Sequence, residues 1–131
     1  MVALLLILLT VAGVRSAGAA VSVPKRVGQC ATTTISWIGT RLAEVDDAGK
    51  ETPIPGSGSA VSFADKLYQV SYDTVPAVEA SRVGDRAQIC LRNIPKGCPK
   101  GDERGKVYRT TNLRTHRTWT LPDAQHMCGG A

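Results

Sequence analysis

Hydrophobic and polar positions alternate over several short stretches of this chain, each followed by turn residues. Residues 28–42 are rich in β-branched side chains and carry Trp37, which predicts a strand. Alternation places Ala31, Thr33, Ile35 and Trp37 on one face and Cys30, Thr32, Thr34 and Ser36 on the other. Residues 60–63 and 67–72 read as a hairpin across Ala64-Asp65-Lys66. Val61 and Phe63 would face inward from one arm, and Tyr68, Val70 and Tyr72 from the other. Residues 75–81 fit one or two helical turns, with Pro76 tolerated in the first turn. After the Gly84-Asp85 turn, residues 86–94 predict a strand with Ala87, Ile89 and Leu91 on one face and Gln88, Cys90 and Arg92 on the other. Residues 106–111 and 117–121 predict a last hairpin. Its inner face would carry Val107, Trp119 and Leu121, and its outer face Lys106, Tyr108, Thr110, Thr118 and Thr120.

Between these elements the turn chemistry is dense. Residues 45–59 hold Asp46-Asp47-Ala48-Gly49 and Pro53-Ile54-Pro55-Gly56-Ser57-Gly58-Ser59, which reads as one long exposed loop. Residues 95–105 form a second loop, and residues 122–131 lack periodicity. Five or six short strands with one short helix predict a mainly β fold. The expected form is a small antiparallel barrel of OB-like type, or a sandwich, held by two disulfides.

The start of the chain changes the length that must fold. An apolar run from Met1 to Val14, interrupted only by Thr10, precedes Ala17-Gly18-Ala19. An apolar run followed by A-x-A reads as a secretory signal peptide over residues 1–19. It is shorter than the roughly 20 apolar residues that span a bilayer. Of the 131 residues, 112 would remain, at a charge of +4, as a single domain over 20–131. That length excludes a second ordinary domain. All four cysteines (Cys30, Cys90, Cys98 and Cys128) lie beyond the leader, and an even count in an oxidising compartment predicts two disulfides. No close pair of the C-x₂-C kind is present to suggest zinc. Cys30 and Cys90 both fall on polar strand faces, which favours Cys30–Cys90 with Cys98–Cys128; spacing leaves the other two pairings open.

Candidate chemistry is sparse. No serine lies in a G-x-S-x-G elbow, and the two histidines, His116 and His126, fall in predicted loop and tail. The carboxylates sit mostly in turns, where Asp is expected without any catalytic role. His126-Met127 is too small a set for a metal site, and neither metal nor cofactor is expected. The chain therefore reads as a binding protein and not an enzyme. Its one local excess is basic: residues 96–117 hold seven Lys or Arg against Asp102 and Glu103. Within that stretch Arg104, Lys106, Arg109, Arg114 and Arg117 would supply charge to a binding surface, with Tyr108 as a flat contact. An anionic envelope component or an acidic protein partner fits such a patch. The leader argues against nucleic acid.

Several segments carry a resemblance: Tyr68-Gln-Val-Ser-Tyr-Asp73, Gly84-Asp85, Ile89-Cys-Leu91, Gly101-Asp-Glu-Arg-Gly105 and Trp119-Thr-Leu-Pro-Asp-Ala-Gln-His-Met-Cys-Gly-Gly130. By these the chain resembles a group of small exported proteins of Gram-negative bacteria, over most of residues 28–131. The resemblance implies a periplasmic address and brings no catalytic residues with it. In size and class the chain is also similar to periplasmic lysozyme inhibitors, although those tend to offer acids where this chain offers bases. An inhibitor or immunity-type role against a secreted toxin or hydrolase is the alternative function.

Overall fold

The computed structural model describes residues 22–130 and, within the leader, Gly13 alone; the leader expected over 1–19 otherwise lies outside the described residues. β1 (Cys30–Thr40) organises the fold because it is long enough to serve two neighbours. Its first half pairs with β6 (Arg86–Asn93), and its second half pairs with β4 (Ser59–Phe63). β4 continues through a hairpin into β5 (Tyr68–Val70). β6 pairs onward with β7 (Val107–Asn112), and β7 with β8 (Thr118–Pro122). The result is one antiparallel sheet of six strands, ordered β5-β4-β1-β6-β7-β8 and curled into a half-barrel. The short helix α1 (Pro76–Glu79) links β5 to β6 and contributes buried Ala77 and Val78. The barrel-like class is as the sequence predicts, and so is one short helix among the described residues.

The predicted loop over 45–59 departs from expectation, because its first part belongs to a two-stranded ribbon that begins just before it. β2 (Ala43–Val45) pairs with β3 (Glu51–Pro53), and every residue of both is exposed. The Asp46 side chain closes its turn, its carboxylate accepting from the N–H groups of Ala48 and Lys50 at 2.9 and 2.8 Å. Asp is favoured at such a position for this local bonding as much as for loop polarity.

Ala87, Ile89 and Leu91 are fully buried, as alternation requires, against Ile35, Val61 and Phe63. Three face assignments are corrected. Trp37 is turned outward and 40% exposed, because a bulge between Ile35 and Trp37 shifts the register and hands the inner position to Ile38. Tyr108 and Thr110 point inward and not outward. Each lies directly opposite an inward residue of β8 (Tyr108 opposite Leu121, Thr110 opposite Trp119), and cross-strand partners share a face. On β5 the inward residue is Gln69, Tyr72 is exposed, and Val70 is buried opposite Ala60 on the other face.

Gln69 links the two free edges of the half-barrel. β5 and β8 have no main-chain pairing with one another, yet the side chain of Gln69 reaches across. Its amide N–H groups donate to the Tyr108 and Leu121 carbonyls at 2.9 and 3.1 Å. Its carbonyl accepts from the Thr110 hydroxyl at 2.7 Å and from the Trp119 indole N–H at 2.9 Å. All four bonding positions of the amide are therefore used, which is what allows a glutamine to be fully buried here.

Both disulfides follow the favoured pairing. Cys30 and Cys90 are direct cross-strand partners on the outer face, and Cys98 ties the β6–β7 connection to Cys128 in the tail. Asp102 and Arg104 reinforce that tie. Arg104 makes a bidentate pair with Asp102, the Asp102 carboxylate accepts from the Gly129 N–H, and Arg104 donates to the Gly130 carbonyl.

Candidate functional site

The six residues expected to form a basic surface do not come together. Tyr108 is only 2% exposed, so it is part of the core and unavailable as a flat contact. Burial pushes its phenol up to about 12, with the nearby carboxylates of Asp123, Asp65 and Glu103 adding to the effect. Asp65 and Asp123 are themselves raised, chiefly by burial.

Arg114 and Arg117 lie past the end of β7, beside α1. Arg114 grips buried Asp85 at 2.7 and 2.9 Å and donates to the Ala80 carbonyl, while Arg117 reaches the Pro76 carbonyl at 3.5 Å. The Arg114 guanidinium holds the Asp85 carboxyl well below the usual carboxylate range; bonds from Asn112 and the Arg82 N–H act in the same direction, against burial. This pair fixes the turn after β7 to the turn before β6. Arg104 and Lys106 lie at the opposite end of β7, about 20 Å away by strand geometry. There Arg104 binds Asp102, and Lys106 is 3.8 Å from Glu103.

Only Arg109 stands on open sheet. It is exposed on the outer face of β7, between Cys90 of β6 and Thr120 of β8. The cross-strand register shows what surrounds it. One row across the sheet runs Cys30, Cys90, Arg109, Thr120, and the next runs Thr32, Gln88, Thr111, Thr118. Arg86 lies opposite Thr34, and Arg92 occupies the bulge between Leu91 and Asn93. Gln88, Arg86, Arg92, Arg109, Thr118 and Thr120 are all exposed. The strands β1, β6, β7 and β8 contain no acidic residue. Among the described residues, the ion pairs found involve neither Arg86, Arg92 nor Arg109.

This face can act as a cationic lattice. Neighbouring side chains across the sheet are about 5 Å apart. Guanidinium groups there can fork onto carboxylate or phosphate, and hydroxyls beside them can donate or accept as a ligand requires. The hydroxyls of Thr111 and Thr118 already meet at 3.3 Å. Arg86 and Arg92 precede the dense basic run, so local charge density does not single them out as binding residues. The signal that finds them is the absence of acids from four strands that share one face.

Compared with family models, curated proteins and solved structures, the chain matches none.

Proposed function

We propose that the protein is an exported, periplasmic or secreted, non-enzymatic binding module. It takes an anionic envelope ligand or an acidic protein partner on the outer face of β1, β6, β7 and β8. The observation that carries this reading is the acid-free face on which Arg86, Arg92 and Arg109 stand among threonines. The two disulfides and the leader-like start support export, as does the resemblance to small exported proteins; no helix among the described residues is long and apolar enough to cross a membrane. Arg104 and Arg114 serve the fold, holding the tail and the α1 corner, and the binding role passes to the arginines of the open face.

The test is retention of the protein on an anionic resin and its binding to soluble polyanions, at low and high salt. Exposed charge interactions are screened over a Debye length of about 8–10 Å at physiological salt, so binding through this face should weaken as salt rises. Arg86→Glu with Arg109→Glu should abolish it in a variant that still folds. Indifference to that double reversal would refute the assignment.

One observation favours the inhibitor reading as an alternative. The exposed β2–β3 ribbon carries Glu44, Asp46, Asp47 and Glu51 against Lys50, a shape and charge suited to a basic cleft. Inhibition of a basic cell-wall hydrolase that disappears in Glu44→Lys with Glu51→Lys would support it, and absence of inhibition by the unmodified protein would end it.

A further inference from the structure

The chain has six aromatic residues, two Trp, three Tyr and one Phe, and a modest core has use for all of them. Phe63, Tyr108 and Trp119 are indeed inside. Trp37 is not. The β1 bulge turns it onto the outer face, the same face that carries the arginines. Its indole lies over Gly39, two residues on, where a Cβ would overlap the ring. A glycine within a strand weakens it, and Gly39, next to the end of β1, provides the space in which a large ring lies along the sheet. Around the ring are hydroxyls: Ser36 is exposed within the bulge, and Ser62 is the cross-strand partner of Trp37. Arg86, opposite Thr34, is three residues further along β1 and one strand across. By strand geometry that is about 10 Å along and about 4.8 Å sideways.

We infer that the anionic ligand of this face is a carboxylated glycan, an inference that rests on the anion-binding reading above. A sugar ring presents a flat C–H face that matches the exposed indole. Its hydroxyls match Ser36, Ser62 and Thr34, and carboxylates on following rings match the guanidinium groups of Arg86 and Arg109. An acidic peptide would use the arginines but has no need of the indole platform. A nucleic acid could use arginines, indole and hydroxyls alike, but a protein exported as proposed above rarely meets it.

The experiment uses the full oxidised chain and follows binding by isothermal titration calorimetry, with tryptophan fluorescence as a second reading wherever Trp37 is kept. Trp119 is buried and bonded to Gln69, so ligand-induced changes report on Trp37. Four probes are titrated at low salt: polygalacturonate, neutral dextran, polyglutamate and an oligothymidylate. Polygalacturonate should bind roughly tenfold more tightly than each of the others, the scale of one good aromatic contact. Trp37→Ala should remove that advantage while leaving polyglutamate binding unchanged, and Trp37→Tyr should keep most of it. Gly39→Ala, which displaces the indole without deleting it, should act like Trp37→Ala and guards against a folding defect in the latter. Equal binding of polyglutamate and polygalacturonate, with no effect of Trp37→Ala, would overturn the glycan inference and leave the anion reading standing. Tighter binding of oligothymidylate would overturn it in favour of nucleic acid. Failure of every polyanion to bind would remove the anion reading itself.

Discussion

Gln69→Leu is the sharpest perturbation the fold offers, because it preserves approximate volume and removes only the amide. In the native protein that amide accepts from Trp119 and Thr110 and donates to the Tyr108 and Leu121 carbonyls. Leucine would leave the Trp119 N–H and the Thr110 hydroxyl buried without their acceptor. Each unsatisfied buried group costs about 1–3 kcal/mol. The sum is about 2–6 kcal/mol, a large part of the roughly 5–15 kcal/mol typical of a whole domain. With a urea dependence of about 1–3 kcal/mol per molar, the unfolding midpoint should fall by roughly 1–3 M, followed by far-UV circular dichroism. Gln69→Glu separates shape from polarity, because it keeps acceptors but turns an anion toward two carbonyls. It should be severe at neutral pH and recover in acid as the new carboxyl takes up a proton. Gln88→Leu, on the exposed outer face of β6, is the control and should stay within about 0.5 kcal/mol of the unmodified protein. A midpoint for Gln69→Leu as close to the unmodified value as that of Gln88→Leu would refute the claim that this amide joins the two edges.

Three further predictions concern charge and backbone. Asp85 is held below its ordinary value of 3.8, so the stability it contributes is complete above that value and is lost as pH falls below it. The stability gap between the unmodified protein and Asp85→Asn, measured by urea unfolding across pH, should be open at neutral pH and close in acid; a constant gap would contradict this. Tyr108 is raised from 10.0 to about 12, so the fold favours its neutral form and loses that contribution as pH climbs between those values. Tyrosinate absorbance should show a tyrosine ionising only with alkaline unfolding, and Tyr108→Phe should abolish that late phase. Lys66 lies in the turn between β4 and β5 with φ of 75°, a left-handed conformation that glycine adopts without steric cost. Lys66→Gly should raise stability by about 0.5–1 kcal/mol, and a lowered urea midpoint would show that the turn is not strained at that residue.

What could be read from the sequence was whatever depends on local alternation. The inward set Ala87, Ile89 and Leu91 follows from period-two patterning on a strand with neighbours on both sides. The outward parity of Cys30 and Cys90 on their own strands likewise made their bridge natural. The misreadings share a different cause, since each depends on residues far away in the chain or on a break in period. Simple alternation misplaces Trp37, because one extra residue in a bulge reverses the face of everything after it. Alternation misplaces Tyr108, because hydroxyl-rich Tyr-x-Thr looks solvent-facing until it is paired with Trp119 and Leu121. Gln69 could not be read as buried because its four partners lie 39 or more residues away. The basic site was only half legible. Local density singled out residues 96–117, whereas the face that gathers Arg86, Arg92 and Arg109 is defined by strand order.

The order of the cysteine pairs bears on how the molecule reaches its native form. Pairing runs first with second and third with fourth along the chain. A polypeptide that emerges amino-terminus first exposes Cys30 alone, then Cys90, its native partner, before either of the other two appears. An oxidant that joins thiols in order of arrival therefore produces the native connectivity directly, with no wrong bridge to be undone. Closure of that first bridge also brings β1 to β6 before β7 and β8 have been made, so the later strands add to an edge that is already in register.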